Sequence, residues 1–215
     1  MHASGIDVPP CPLCRGLRRT SLAAHDRRWW DCATCGLAAV DPRDLPDPDE
    51  ERTRYETHEN DPEDPDYRAF LDRVAVPLVA RLEEGMEGLD VGSGPGPTLS
   101  VMLRERGFPT RIWDPIFAPD PTPLGRTWDF VTCTETVEHF HHPARDWARL
   151  FGLLRPGGWL AIMTEPLGDT PLADWWYARD PTHVSLYRDT TLAWVAERFG
   201  ADLERPERRV AIYRV

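Results

Sequence analysis

A short glycine-rich segment constrains the fold of this chain more than any other feature of its sequence. Residues 88–97 read Gly-Leu-Asp-Val-Gly-Ser-Gly-Pro-Gly-Pro, an apolar strand that breaks into a turn. Glycine allows positive φ and lets a ligand approach the backbone without an intervening Cβ, while Pro97 suits the first position of a helix. Apolar side chains then recur at helical spacing as far as Gly107. The segment therefore predicts a strand, a turn and a helix in the order that nucleotide-binding folds use.

The spacing of these glycines distinguishes between two classes of cofactor. A dinucleotide site needs its third glycine three positions after the second, where this chain has Pro97. Glycines instead alternate after Asp90, whose carboxylate would repel a pyrophosphate but tolerate a cationic ligand, and Asp114 at the end of the next strand could accept both hydroxyls of a ribose. These features favour S-adenosylmethionine, with a glycine-rich surface loop as the alternative. The residues predicted to bind this cofactor are Asp90, Gly92, Ser93, Gly94, Gly96, Asp114 and Thr134.

Two later segments carry a family resemblance. Residues 127–140 read Thr-Trp-Asp-Phe-Val-Thr-Cys-Thr-Glu-Thr-Val-Glu-His-Phe, and residues 153–162 contain a Leu-Arg-Pro-Gly-Gly corner. Together with the glycine turn, they resemble class I S-adenosylmethionine-dependent methyltransferases over residues 67–200. Residues 179–187 are similar to the segment before the last long helix in a bacterial subgroup of these enzymes.

The order of the predicted elements implies an α/β fold. Helices and strands alternate from residue 67 onward, which indicates a Rossmann-like, mostly parallel, doubly wound sheet. The resemblance makes residues 210–213 an antiparallel seventh strand. Only 13 residues separate Asp114 from Trp128, too few for the helix and third strand that the family has there, so we expect that strand to be missing. The adenine would then be held by backbone groups and by the apolar side chains of Ile116 and Phe117. Asp120 is a candidate to replace the acidic residue that binds the adenine amino group in the family.

Four cysteines near the N-terminus predict a metal site. Cys11 and Cys14 form one CxxC pair, Cys32 and Cys35 form another, and 17 residues separate the pairs. This spacing is typical of a four-cysteine zinc ribbon, in which four thiolates complete the coordination of a structural zinc. Disulfides and a redox-active pair are the alternatives. A cytosolic location disfavours disulfides, and the duplication of the CxxC motif disfavours a redox-active pair. We therefore predict a zinc ribbon over residues 1–42, as in the bacterial subgroup.

Basic and aromatic residues lie together between the cysteine pairs. The sequence Arg27-Arg28-Trp29-Trp30 combines phosphate-neutralising and base-stacking side chains, which a nucleic acid could use. The same residues could instead dock an acidic protein surface or pack on the acidic segment that follows. The net charge of −11 and pI near 5.1 disfavour a nucleic-acid partner.

An acidic, proline-rich segment follows the cysteines. Residues 41–66 contain seven Asp and five Glu against three Arg. Such a composition predicts a solvated linker, which we place at residues 43–66, before a methyltransferase domain at residues 67–215. The alternative is that part of the linker packs on the catalytic domain and brings Tyr55 or His58 to the ligand pocket.

The composition excludes several functions. All 25 strongly basic residues are arginine, so neither a pyridoxal phosphate aldimine nor a phosphate-loop lysine is possible. No apolar run approaches the about 18 residues that a membrane span needs, and the first residues lack the pattern of a signal peptide. We expect a cytoplasmic protein without a membrane partner.

Candidate catalytic residues lie beyond the carboxyl ends of the central strands, where open α/β sheets bind their ligands. Thr134 and Glu135 follow the fourth strand of the family pattern, and Glu165 follows the fifth. His183 is the preferred general base because an imidazole titrates near neutrality, although a structural histidine is the alternative; His139 is expected to be structural. The aromatic residues at 175–177 suggest a lid over the acceptor or a part of the core.

The sequence thus predicts a methyltransferase that uses S-adenosylmethionine and acts on an unidentified acceptor, a small molecule rather than a macromolecule. The alternatives are a methyltransferase acting on RNA or protein, and a zinc-ribbon binding protein that retains the cofactor without turnover.

Overall fold

The computed structural model describes residues 8–17, 19–57 and 60–215. In chain order, the described elements are β1 (Arg19–Ala24), β2 (Arg27–Cys32), β3 (Ala38–Val40), α1 (Pro48–Tyr55), α2 (Pro65–Val79), β4 (Gly88–Val91), α3 (Thr98–Glu105), β5 (Thr110–Trp113), β6 (Trp128–Thr134), α4 (Pro143–Gly152), β7 (Leu154–Met163), β8 (Ser185–Leu186), α5 (Asp189–Phe199), β9 (Asp202–Glu207) and β10 (Val210–Arg214).

The central sheet has the strand order β5-β4-β6-β7-β10-β9. The first four of these strands are parallel, and β10 runs antiparallel to both of its neighbours. This arrangement confirms the predicted Rossmann-like fold and the antiparallel strand at the C-terminus. Within the described residues the sheet ends at β5, because the chain between Asp114 and Trp128 forms only an isolated bridge to Ala118 and a 3-10 turn. The described residues of that interval therefore form no third strand, in agreement with the prediction from its short length.

Helices cover both faces of the central sheet. Alternate residues of a strand point to opposite faces, so Leu160 and Ile162 pack in one core while Ala161 and Met163 pack in another. The first core includes Trp147 of α4, and the second is filled by α2 and α3. The buried strand β4 lies between the two cores and leads directly into the glycine turn.

The acidic segment contains a helix, α1. Asp47 caps it by accepting a hydrogen bond from the Asp49 amide at 2.8 Å, and Glu50 accepts one from the Asp47 amide at 3.2 Å. Tyr55 at its end contacts His139, with ring centroids 5.2 Å apart. Part of the segment therefore packs on the larger domain, as the alternative interpretation held, and His58 lies outside the described residues. The boundaries 1–42, 43–66 and 67–215 stay predictions.

A second, smaller sheet joins the N-terminal segment to the rest of the chain, in the order β1-β2-β3-β8. Trp29 and Trp30 of β2 are buried in it, and the Trp30 indole donates to Asp41 at 2.7 Å. Neither ring is available to stack on a base, so the structure excludes base stacking by these two side chains, which was one part of the feature that suggested nucleic-acid binding. Among the helices described, none has the length and apolar character needed to cross a membrane.

Candidate functional site

A cavity of about 990 Å³ opens at the carboxyl ends of β4, β5 and β6. Its position is where parallel sheets of this kind bind ligands. Nine of the residues predicted to bind the cofactor or to act in catalysis lie in its wall: Asp90, Gly92, Ser93, Gly94, Gly96, Asp114, Thr134, Glu135 and His183. The fold therefore brings these separate predictions into one site.

The three glycines of the turn serve different structural purposes. Gly92 and Gly94 have φ of +75° and +66°, as predicted. The prediction is wrong for Gly96, which is not in the left-handed region; a Cβ there would lie 1.6 Å from the Asn60 carbonyl oxygen. Glycine is required at position 96 because another part of the chain crosses it closely.

Asp114 ties the end of β5 to the glycine turn. Its Oδ2 accepts a hydrogen bond from the Gly94 amide at 3.0 Å, and its Oδ1 accepts from the amides of Ile116 and Phe117 at 2.8 and 2.9 Å. A carboxylate offers about four acceptor positions, so about one remains, on Oδ2. In this arrangement Asp114 has room for one ribose hydroxyl, whereas the sequence suggested two.

Asp90 and Ser93 lie deeper in the same wall. The Thr132 hydroxyl donates to Asp90 at 2.6 Å, and the pKa of Asp90 is raised to about 7, chiefly because burial disfavours the charged carboxylate. The buried Ser93 hydroxyl has no hydrogen-bond partner within the described part of the chain. A buried polar group of this kind costs free energy unless a ligand satisfies it.

His183 has a defined tautomer. Its Nδ1 lies 2.7 Å from the Tyr177 carbonyl, which can only accept, so Nδ1 carries the proton and Nε2 keeps its lone pair. Burial lowers the pKa of His183, which keeps the ring neutral. His139 is held similarly by the Thr182 carbonyl at 3.0 Å, and the two rings are 4.8 Å apart.

Two glutamates and a tyrosine form a hydrogen-bonded chain beside His183. The Tyr177 hydroxyl contacts Glu138 Oε1 closely and Glu135 Oε2 at 3.1 Å, and Thr164 donates to Glu138 at 2.9 Å. The pKa of Glu135 is raised to about 8, first by burial and then by the charge of Glu138. Because a hydroxyl donates only one proton, the consistent arrangement has protonated Glu135 donating to Tyr177 and Tyr177 donating to Glu138. Glu135 also has φ of +47°, a strained conformation for a residue with a side chain.

The remaining candidates from the sequence lie partly inside and partly outside the cavity wall. Glu165 pairs with Arg208 and Arg209 and is not in the cavity wall. Asp120 also lies outside it and accepts hydrogen bonds from Thr122, whereas Ile116 and Phe117 line it as expected. Of the proposed lid, Trp175 and Tyr177 are buried, and Trp176 is exposed in the cavity wall.

The four cysteines are arranged as a metal site requires. Their sulfur atoms lie within 4.8 Å of one another, with Cys11 3.6 Å from Cys35 and Cys14 3.5 Å from Cys32. Tetrahedral zinc with bonds of about 2.3 Å places sulfurs about 3.8 Å apart, which these distances fit. Donor atoms of Glu138, His139 and His183 also lie within 4.8 Å of one another, although both Nδ1 atoms already bond carbonyls.

Comparisons with known proteins agree with this geometry. A sequence model of the family described as "Methyltransferase domain" matches residues 59–205. No curated protein matches the chain by sequence. Solved structures similar to it include 1,6-didemethyltoxoflavin-N1-methyltransferase from Burkholderia thailandensis with bound 1,6-didemethyltoxoflavin and S-adenosylhomocysteine (TM-score 0.55, 18% identity, 91% of this chain and 98% of that chain).

Two further structures have the same fold. Magnesium protoporphyrin IX methyltransferase from Synechocystis, solved with bound SAH, has a TM-score of 0.52 at 15% identity over 77% of this chain and 93% of that chain. An O-methyltransferase family protein from Burkholderia thailandensis has a TM-score of 0.51 at 21% identity over 76% of this chain. The similarity spans 61% of the length of that last protein.

Proposed function

This chain belongs to the methyltransferase domain family, and from that membership we propose that it transfers the methyl group of S-adenosylmethionine to a small-molecule acceptor. The observation that carries the proposal is the cavity in which the Gly94 amide and the Asp114 carboxylate meet. Two proteins of similar fold were solved with S-adenosylhomocysteine, the product that such a transfer leaves.

The residues of the cavity fit this cofactor. Asp114 would accept a ribose hydroxyl through Oδ2, and Ile116 and Phe117 would lie against the adenine. Ser93, whose hydroxyl is buried in the wall, would hydrogen-bond the polar amino-acid end of the cofactor. When bound, the cofactor supplies a methyl group that its sulfonium already activates, so the protein has to orient the acceptor, exclude water and accept a proton.

His183 is the proposed proton acceptor. Its Nε2 lone pair is available, and the hydrogen bond from Nδ1 to the Tyr177 carbonyl would stabilise the imidazolium that forms. The nearby Glu138 carboxylate also favours the protonated ring. We assign Glu135 a different role from that of a base: with a pKa of about 8, it is a neutral hydrogen-bonding group at neutral pH.

A small-molecule acceptor suits the enclosure of the site. Tyr55 of α1 and Trp176 both contribute to the cavity wall beside the histidines. A pocket of this size accommodates a cofactor together with a compact organic molecule. The two proteins of similar fold that were solved with S-adenosylhomocysteine are named as methyltransferases of 1,6-didemethyltoxoflavin and of magnesium protoporphyrin IX, and the acceptor of this chain is a separate question. We also propose that zinc occupies the four-cysteine site.

The experiment is methyl transfer from labelled S-adenosylmethionine to fractionated cell extract. The protein is incubated separately with the small-molecule, RNA and protein fractions, and label in each is counted. We expect label in the small-molecule fraction, lost in His183→Asn and retained in Asp120→Asn. Label in RNA or protein would favour a macromolecular substrate, and cofactor binding with no label in any fraction would favour the non-catalytic alternative.

A further inference from the structure

Arg27 of β2 connects the N-terminal sheet to the loop that carries His183. Its guanidinium donates to the carbonyls of Ala178 at 2.7 Å, Pro181 at 2.8 Å, Asp180 at 3.0 Å and His183 at 3.1 Å. The planar fork of an arginine can satisfy several carbonyls at once, which a lysine ammonium with three donors cannot do in the same way. One side chain of the ribbon thus ties together four backbone carbonyls within residues 178–183.

Other contacts attach the same loop on both sides of His183. Strand β3 pairs with β8, and the Val40 amide donates to the Val184 carbonyl at 2.9 Å. Upstream, the His25 ring donates to the Leu172 carbonyl at 3.2 Å. Downstream, Arg188 bonds Asp31 at 2.6 Å. Residues 172–188, which we call the His183 loop, are therefore held by the N-terminal segment at Leu172 and again between Ala178 and Arg188.

The cysteine site lies where it can control these contacts. Cys32 ends β2, and its backbone closes the turn toward β3 through the Gly36 amide at 2.8 Å and the Leu37 carbonyl at 2.9 Å. The strands on either side of that turn carry Arg27 and the residues that pair with β8. About forty residues bury too little apolar surface to fix such a turn alone, so a bound metal would supply the missing stability.

We propose that the zinc ribbon holds the His183 loop in place, with Arg27 as the positioning residue for His183. The ribbon then acts as an internal part of the active site, in contrast to the partner-docking module that its basic and aromatic residues suggested. The role of this positioning in catalysis rests on the proposed function. The structural coupling between the ribbon and the His183 loop does not.

Amide hydrogen exchange tests the coupling without any acceptor. Arg27→Gln and Arg27→Lys are compared with Arg28→Gln, a matched control whose side chain is 41% exposed and pairs with Asp41. We expect exchange of residues 178–186 to rise about tenfold or more in both Arg27 variants and to stay at the wild-type rate in the control. Removal of the metal from the wild-type protein with a chelator should give the same local increase.

The titration of the His183 ring, followed by NMR, separates positioning from general destabilisation. Glu138, His139 and Asp180 act on the charge of this ring, and the titratable Tyr177 ring packs against it with ring centroids 4.1 Å apart. Loosening the loop exposes the ring, so its pKa should rise toward the ordinary value in Arg27→Gln while the affinity for S-adenosylhomocysteine changes less than about threefold. An unchanged His183 titration, or equal exchange in the Arg27 and Arg28 variants, would overturn the positioning role. Failure of S-adenosylhomocysteine to bind the wild-type protein would instead refute the proposed function and leave the coupling standing.

Discussion

The Oδ2 atom of Asp114 accepts a hydrogen bond from the Gly94 amide at 3.0 Å, so the end of β5 and the turn after β4 are joined before any ligand is bound. This contact sets the orientation of the carboxylate toward the cavity. It also means that a ligand hydroxyl on Oδ2 adds to an existing network and does not have to organise one.

The first prediction concerns cofactor affinity. Asp114→Asn removes the charge and one of the two oxygen acceptors, so binding of S-adenosylhomocysteine should weaken by about 1 to 3 kcal/mol. Calorimetric titration measures the change. Asp120→Asn, which alters a neighbouring carboxylate outside the cavity, should bind like the wild type. If the Asp114 variant binds equally well, or if NAD binds more tightly than S-adenosylhomocysteine, the assignment of this site is wrong.

The second prediction concerns the pH dependence of methyl transfer. A general base acts in its deprotonated form, and burial lowers the pKa of His183. The rate of methyl transfer should therefore be constant at neutral pH and should decrease only when the pH falls below the ordinary histidine pKa of about 6.5. The rate is measured between acidic and neutral pH with the acceptor that the extract experiment identifies. An acid limb that persists in His183→Gln would assign the ionisation to another group.

Patterns within short segments predicted the parts of this site that are formed by residues close together in the sequence. The glycine turn, the acidic ends of β4 and β5 and the missing strand after Asp114 could be read from spacing and chain length. Helix α1 could have been found too, because Asp47-Pro48-Asp49-Glu50 is a capping-box pattern with proline at the first helical position. The density of acidic residues outweighed that signal.

Contacts between distant segments could not be predicted in this way. The contact of Arg27 with the carbonyls of the His183 loop and the pairing of β3 with β8 both join residues far apart in the chain. The same holds for Tyr177, whose hydroxyl reaches both Glu135 and Glu138. The spacing of residues within a short segment does not predict contacts of this kind, because they form between distant segments.

The third prediction concerns stability. The pKa of Asp90 in the folded protein is about 7, above its value of about 4 in the unfolded chain. Its contribution therefore favours folding fully at low pH and is lost as the pH rises through about 7. Asp90→Asn keeps an acceptor for Thr132 and removes this titration. Between pH 5 and pH 8 the free energy of unfolding should decrease in both proteins, and the decrease should be about 2 kcal/mol smaller in the variant than in the wild type.

Urea denaturation at several pH values provides the measurement. Asp202→Asn, at an exposed carboxylate on β9, is the control and should follow the wild-type dependence. Parallel pH curves for the wild type and the Asp90 variant would show that Asp90 is charged in the folded state over this range.

The fourth prediction concerns the metal. The purified protein should contain about one zinc per chain, because four thiolates close a tetrahedral site. Cys32→Ser should lose the zinc, whereas Cys133→Ala, which changes a buried cysteine within β6, should retain it. Elemental analysis by mass spectrometry measures both. A metal-free wild type from zinc-supplemented cells, or equal zinc in the two variants, would contradict the assignment.

The central claim is that the cavity beyond β4 and β5 binds the cofactor through Asp114, and a crystal structure with S-adenosylhomocysteine tests it most directly. The account predicts a ribose hydroxyl about 3 Å from Asp114 Oδ2 and the amino-acid end of the ligand beside Ser93. A structure at saturating ligand in which this cavity stays empty, or in which the ligand binds elsewhere on the protein, would contradict it.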